Sequence, residues 1–237
     1  MFIDELKAAA EKFNIELNDN QLEKLDIFYD LVVEWNNKVN LTAITDPSDF
    51  AIKHIIDSIS IWNDDKFQSV ESMIDVGTGA GFPGIPLKIY RPHIKVTLLD
   101  SLAKRINFLR AAVDLLQLEN VELIHSRAED AAHSSALRET FDLAVSRAVA
   151  RLNILAEYCV PFVRVHGYFA ALKGSNIKEE LQDAKGAVKL LGGKDVECIK
   201  IILPNDNERN LIYIKKASKT VGKYPRKAGV PERKPLK

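Results

Sequence analysis

The sequence predicts an α/β protein with a seven-stranded, mostly parallel sheet and a helical extension at the N-terminus. Two observations carry that expectation. The run Asp75-Val76-Gly77-Thr78-Gly79-Ala80-Gly81 places a glycine-rich turn directly after the apolar segment Ser72–Val76. From about residue 70 to 216, short apolar runs then alternate with helical stretches, the pattern of strands joined by crossover helices.

Residues 1 to about 65 show helical periodicity alone. Leu22, Leu25, Phe28, Val32 and Trp35 recur at three- and four-residue steps, with Asn18 or Asp19 as the cap. A second stripe is Ile52, Ile55, Ile56 and Ile59. Strands are expected at 72–76, 95–99, 121–124, 141–146 and 167–172. Cys198–Leu203 and Leu211–Lys215 flank the turn-forming Pro204–Asn210 and read as a terminal antiparallel pair. Helices are expected near 86–90, 102–117, 152–162 and 177–191, with Ser101 capping the second and Gly192-Gly193 ending the last. The chain divides into a helical part (1–65), an α/β domain (66–220) and a tail (221–237).

Composition narrows the class. A chain of 237 residues with 46% hydrophobic content buries a sizeable core. Met1–Ala10 contains Asp4 and Glu5 and does not read as a signal peptide. No stretch approaches the ~20 apolar residues that span a bilayer. Cys159 and Cys198 are too few and too far apart for a disulfide framework or a zinc site, so no metal is expected and a reducing cytoplasm is the simplest location. The zero net charge hides an asymmetry. Val221–Lys237 holds Lys223, Arg226, Lys227, Arg233, Lys234 and Lys237 against Glu232 alone. Pro225, Pro231 and Pro235 in the same stretch argue against a regular helix. Such a tail suits a polyanion or is a solvated end.

The glycine turn and Asp100 form a nucleotide-type site. Glycines after a first strand let a ligand approach the backbone, and an acid ending the second strand accepts from ribose hydroxyls. Gly79-Ala80-Gly81-Phe82-Pro83-Gly84 matches the dinucleotide pattern, but in a late register that puts Pro83 and Gly84 where helix should run. The early register, acid-x-Gly-x-Gly-x-Gly, is the S-adenosylmethionine pattern of Rossmann-like class I methyltransferases. It is the favoured reading; a dinucleotide site and a merely structural turn are the alternatives.

Later strand ends supply the rest. Ala128 and Glu129, after the third strand, are candidates for the adenine, although Glu129 also suits a helix first turn. Ser146-Arg147-Ala148-Val149-Ala150-Arg151 follows the fourth strand, where the methyl acceptor belongs. The Asn/Asp-Pro-Pro-aromatic motif of exocyclic-amine methylation is missing, and neither cysteine sits where carbon methylation would use it. Arg147 is the polar group there, or else a structural partner of an acid such as Asp142. A ring nitrogen with a free lone pair, such as guanine N7, needs no proton removed before attack, so catalysis would rest on placement and electrostatics.

These residues carry a resemblance. Asp75–Pro86 is similar to the signature of the RsmG (GidB) family of bacterial ribosomal RNA small subunit methyltransferases G. Asn40-Leu41-Thr42, Lys53-His54-Ile55-Ile56-Asp57-Ser58, Asp100-Ser101 with Lys104-Arg105, Arg127–Glu129, Ser146–Ala150, Leu172–Gly174, Arg209-Asn210 and Tyr224–Pro231 extend the match nearly end to end. The resemblance implies N7 methylation of a guanine in 16S ribosomal RNA with S-adenosylmethionine as donor. Gly77, Gly79 and Phe82 would line the cofactor pocket, Asp100 would meet the ribose, Ala128 and Glu129 the adenine side, and Arg147 the methionine end. His54 and Asp57, three apart on one helix, are either a surface hydrogen-bond pair or, with Arg147, catalytic groups flanking the pocket. Lys53, Arg151, Lys173 and Arg209, with Arg226 and Lys227 in the tail, are candidate RNA contacts or solvated charges. The partner would be 16S ribosomal RNA or the small subunit, met by a monomer. Because the donor pocket is expected at the ends of the first four strands, the tail should serve RNA and leave donor binding untouched. A non-enzymatic RNA-binding assembly factor is the competing function, and a small-molecule methyltransferase the other enzymatic one.

Overall fold

A computed structural model describes residues 1–147, 150–175 and 177–237. Ala148 and Val149 of the Ser146–Ala150 segment lie outside the described residues.

The sheet has seven strands: β1 (Ser72–Val76), β2 (Lys95–Asp100), β3 (Val121–His125), β4 (Phe141–Arg147), β5 (Val163–Lys173), β6 (Gly193–Ile202) and β7 (Glu208–Lys216). Their order is β3-β2-β1-β4-β5-β7-β6. The first five pair in parallel, and β7 joins β5 and β6 antiparallel. Strand order reverses between β1 and β4, and ligands bind beyond the strand carboxyl ends at such a switch point. Asp75, Asp100 and Arg147 all stand at that end.

One face of the sheet is covered by α6 (Gly84–Tyr90) and α7 (Ala103–Leu115), the other by α9 (Leu152–Cys159) and α10 (Lys178–Leu190), with the one-turn helices α5 (Asp64–Phe67) and α8 (Ala128–Ala131) in the connections. The N-terminal helices α1 (Phe2–Lys12) and α2 (Asp19–Val39) share the core of the first face and do not build one of their own. Phe28 of α2 packs on Phe82 (5.4 Å between centroids), and Trp35 packs edge-on against Phe108 at 5.6 Å. Asn18 caps α2 as expected, with Gln21 completing a capping box.

The chain from Pro47 to Ile59 departs from regular helix. It runs as α3 (Pro47–Phe50), a π-helical stretch (Ala51–Ile56) and α4 (Asp57–Ile59). The expected amphipathic stripe with a polar outer face is not what forms. His54, Ile55, Ile56, Asp57 and Ser58 are all buried, because this segment is wedged between α1 and the sheet end. The wide π turn, a feature frequent at functional sites, puts both His54 and Asp57 inward.

Ser101 does not cap α7. The N-cap position is Leu102, whose N–H donates to Asp100 Oδ1 at 2.9 Å. Gly192 lies just past α10 with φ +91°, as expected, while Gly193 already begins β6.

The tail is the largest departure from expectation. It folds back across the α9 face. Arg138 donates to the carbonyls of Thr220 and Tyr224, both at 2.8 Å. Arg226 forms a two-pronged pair with Glu157, Nη2 to Oε2 2.6 Å and Nε to Oε1 2.9 Å, and its backbone N–H also donates to Oε1. Gly229 N–H donates to Glu129 Oε1 at 3.0 Å, and Asn153 donates to the Leu236 carbonyl at 2.9 Å. A one-turn helix, α11 (Val230–Arg233), forms with Pro231 in its first turn, the helical position where proline is tolerated. Counting charge missed this docking because the partner acid, Glu157, lies distant in sequence and fully buried.

Gly84 starts α6 where a Cβ would overlap Leu98 Cδ2 and lie 2.8 Å from Asp75 Oδ2. We expect Gly84→Ala to destabilise the fold by about 1–3 kcal/mol through overpacking, read as a lower urea midpoint. An unchanged midpoint would show that β1 and β2 can yield there.

Candidate active site

Three adjoining hollows run along the carboxyl end of the sheet. The first, about 130 Å³, is lined by Val76, Gly77, Asp100, Ala128 and Glu129, with Tyr158 and Glu232 opposite. The second, about 450 Å³, takes in Thr42, His54, Gly77, Gly79, Phe82 and Arg147. The third, about 310 Å³, is lined by Lys53, His54, Asp57, Arg147, Lys173 and Arg209. Gly77 and Asp100 border the first two, and His54 and Arg147 border the last two.

The turn is held by two carboxylates. Asp75 Oδ2 accepts from Thr78 Oγ1 at 2.6 Å and from Gly84 N–H at 2.8 Å, while its buried Oδ1 has no partner among the described residues. Burial pushes its carboxyl up to about 7, against the pull of those two bonds. Asp100 Oδ2 accepts from Gly79 N–H at 2.9 Å and from Arg105 at 3.3 Å. Gly77 has φ +73°, a conformation natural to glycine. A Cβ built on Gly79 would meet only Arg105, at 4.0 Å, so that side of the backbone is open to the hollow. An open glycine backbone beside an acid at the end of β2 suits the ribose and methionine parts of S-adenosylmethionine, which carries no phosphate to demand a helix N-terminus.

Arg147 organises the boundary between the second and third hollows. Its Nη1 donates to the Lys53 carbonyl at 3.0 Å and to Asp57 Oδ2 at 3.2 Å. Its Nη2 donates to His54 Nδ1 at 3.0 Å. Its guanidinium lies 4.8 Å over the Phe82 ring, on which His54 also stacks at 4.4 Å. An arginine only donates, so His54 Nδ1 is an acceptor and its proton sits on Nε2, facing Thr42 Oγ1 at 2.7 Å. Burial first, and Arg147 second, push the His54 imidazole down to about 3. Asp57 Oδ1 also accepts from Arg209 Nε at 2.9 Å. Burial pushes the Asp57 carboxyl up and the Arg147 guanidinium down, each against the pull of its partner.

His54 and Asp57 are therefore not a surface pair. They do not bond each other; both bond Arg147 inside the site. Nor does Arg147 pair with Asp142, which instead holds Arg164 and Ser72. Ala128 and Glu129 border the first hollow as the sequence suggested. The expected RNA contacts separate. Lys53, Lys173 and Arg209 line the third hollow, although Lys53 also pairs with Asp49, and Lys173 with Glu180, each at 2.8 Å. Arg151 points to Asp183 at 2.9 Å, on α10. Arg226 is committed to buried Glu157 and is not free for phosphate, while Lys227 is exposed. Sequence reasoning gave no role to Thr42, Arg105, Tyr158 or Glu232. Thr42 and Arg105 lay within motifs it quoted; Tyr158 and Glu232 meet only through the fold.

Among the described residues, no helix is long and apolar enough to cross a membrane, and no cluster of three His, Cys, Asp or Glu residues is placed to hold a metal.

This arrangement on this sheet defines an S-adenosylmethionine-dependent methyltransferase. Solved structures agree on the fold: M. jannaschii TYW2 in complex with AdoMet superposes with a TM-score of 0.52 at 18% identity, covering 68% of this chain and 74% of that one. P. horikoshii TYW2 in complex with MeSAdo gives 0.51 at 13% identity, covering 68% and 62%. Within the class, residues 21–216 match the family described as rRNA small subunit methyltransferase G. Ribosomal RNA small subunit methyltransferase G of Alkaliphilus oremlandii is 51% identical over 99% of this chain and 98% of that protein. Its counterpart in Clostridium perfringens strain SM101 is 49% identical over 100% and 99%. The chain belongs to the rRNA small subunit methyltransferase G family.

Two outcomes test the site's electrostatics. Removing one partner of a buried pair strands the other, at about 3–5 kcal/mol. Asp57→Ala should lower the unfolding free energy on that scale, whereas Arg209→Ala, on the more exposed arm, should cost clearly less; equal costs would mean the pair is not effectively desolvated. The second outcome concerns pH. His54 stays neutral in the fold down to about 3, while a free imidazole protonates near 6.5. Between those values the unfolded chain binds the extra proton, so this group makes stability fall as pH falls. Asp75 has the opposite sign, because its raised carboxyl makes stability fall as pH rises towards about 7. Comparing His54→Gln with the parent cancels Asp75. The variant's melting temperature should fall less steeply from pH 6.5 to 4, and parallel curves would refute a neutral His54.

Proposed function

We propose that the chain transfers a methyl group from S-adenosylmethionine to N7 of a guanine in 16S ribosomal RNA. The observation that carries this reading is the meeting of two hollows at one fixed boundary. The second hollow carries the glycine turn on one side, and the third carries Lys53, Lys173 and Arg209 on the other. His54 and Arg147 border both. The relatives named above are described as acting on small subunit ribosomal RNA, which selects RNA as the polyanion for that basic side.

S-adenosylmethionine supplies a methyl group on a positively charged sulfur. The chain's own residues then have to hold an acceptor in line and keep water out. Gly77 and Gly79 give the donor backbone to lie against, and Asp100 accepts from its ribose. Phe82, buried beneath His54 and Arg147, makes the floor on which the two polar groups are fixed. His54 is a poor base: one nitrogen accepts from Arg147, the other faces Thr42, and its affinity for protons is low. That suits N7, whose lone pair is free without deprotonation. Lys53 and Arg209 lie where they meet the phosphates flanking the base, contacts that position without reading sequence. Catalysis is then largely placement, worth several kcal/mol when two reactants are held in line.

Ribosomal RNA from cells lacking this protein, incubated with it and labelled donor, should yield labelled 7-methylguanosine after digestion. Label in any other nucleoside would overturn the N7 assignment. In calorimetric titration, Gly77→Val should abolish donor binding, since a β-branched residue resists φ +73° at a position that lines both the first and the second hollow. Asp100→Ala should weaken binding by roughly 1.5–3 kcal/mol, the scale of a hydrogen bond to a charged group. Wild-type affinity in either variant would move the donor site elsewhere.

A further inference from the structure

We propose that the C-terminal tail is the outer wall of the donor's adenine subsite, and that Glu232 on this wall accepts a hydrogen bond from the exocyclic amine of the adenine. The inference rests on the reading that the donor is S-adenosylmethionine.

The first hollow has two sides of different origin. Its inner side comes from the strand ends: Val76, Gly77, Asp100 and Ala128. Its outer side comes from Tyr158 on α9 and Glu232 on α11. An adenine edge offers one amine, which needs an acceptor, beside ring nitrogens, which need donors. The acceptors around the hollow are unequally occupied. Asp100 already receives Gly79 and Leu102 N–H groups, one on each oxygen. Glu129 Oε1 receives the Gly229 N–H. Ser126 directs its hydroxyl to the Arg127 carbonyl. The Arg127 side chain is a cation and accepts nothing. Glu232 receives only the Tyr158 hydroxyl, at a long 3.4 Å. A carboxylate has about four acceptor positions; Glu129 and Glu232 each have one filled, and Glu232, held by the longer and weaker bond, is the one freer to turn toward a new donor. Burial and the neighbouring carboxylates push the Tyr158 phenol up, so it remains a hydrogen-bond donor that orients Glu232.

The wall is built firmly. Glu157 has no exposed surface and is met by three donors of Arg226, an arrangement that fixes the chain just before α11. Arg138 and His133 tie the preceding residues by their carbonyls, His133 to Pro225 at 2.8 Å. Gly229, at φ +75°, makes the bend that turns α11 toward the hollow while its N–H reaches Glu129. The tail's basic residues thus serve two ends: Arg226 seats the wall, and the exposed lysines remain outside. Binding and tail docking are then linked, and each must strengthen the other by the same factor.

The test uses the full-length chain and two unreactive ligands. S-adenosylhomocysteine presents the amine; S-inosylhomocysteine presents a carbonyl oxygen in its place. The parent should prefer the adenosyl ligand. Glu232→Gln, whose amide can donate to that oxygen, should reduce the preference about tenfold, the scale of one hydrogen bond to a charged group. Gly229→Pro, which removes the N–H and forbids the positive φ, should weaken both ligands together. Lys234→Ala should bind like the parent. Saturating S-adenosylhomocysteine should also slow tryptic cleavage after exposed Lys227 in the parent. Parent-like affinity and preference in both Glu232→Gln and Gly229→Pro, with cleavage indifferent to ligand, would overturn the inference and leave the proposed function standing. A parent that binds neither ligand would overturn both.

Discussion

Arg147 is the one cation on which the site's architecture depends. It leaves the end of β4, crosses the Phe82 ring, and ends in a cage made by a neutral imidazole, a carboxylate and a backbone carbonyl. Each partner comes from the Lys53–Asp57 stretch. That stretch, wound as a π-helix that then returns to α-helix, delivers a carbonyl, an imidazole and a carboxylate to one guanidinium. Desolvating such a cation is expensive, and only well-aimed partners offset the cost. Asp57 is shared with Arg209 from β7, so the same carboxylate also joins the N-terminal helices to the antiparallel part of the sheet.

The charge pattern around the donor hollow follows a similar logic. A donor with a cationic sulfur is not helped by bare positive charge nearby. Arg147 is neutralised locally by Asp57 and turned away by its bonds to the π-helix, while acids Asp75 and Asp100 support the turn from below. Around the third hollow the balance reverses, with Lys53, Lys173 and Arg209 in its lining. His54 sits between the two fields as an uncharged spacer.

Much of this was legible in the sequence because it is local. Strand positions followed from apolar runs, the glycine turn from its spacing to an acid, and the cap of α2 from Asn18 or Asp19, of which the fold uses Asn18. Asp100 stood out as an acid ending an apolar strand, and it lies beside the turn, where it accepts from the Gly79 N–H. What stayed hidden depends on contacts between distant segments. His54 and Asp57 looked like two polar residues on the outer face of an amphipathic helix, since periodicity presumes 3.6 residues per turn and says nothing of a π turn. The tail looked extended because charge and proline content describe a segment's solubility, not the buried Glu157 that receives it. Ser101 looked like a cap, but Asp100, one residue earlier, reached the amide first.

Helix α2 is fastened at both ends. Near its start, Gln21 donates to the carbonyls of Ile89 and Tyr90, and Lys24 to that of Leu116, so it closes the exposed ends of two helices on the sheet face. Near its finish, Asn36 receives the amides of Leu41 and Thr42, the loop that meets His54. At 1.5 Å per residue, its 21 residues form a strut of about 30 Å. The strut makes the loop over the second hollow a remote extension of the far end of α2. One helix thus carries, at one end, the closure of two helix termini and, at the other, the anchor of the loop whose Thr42 meets His54.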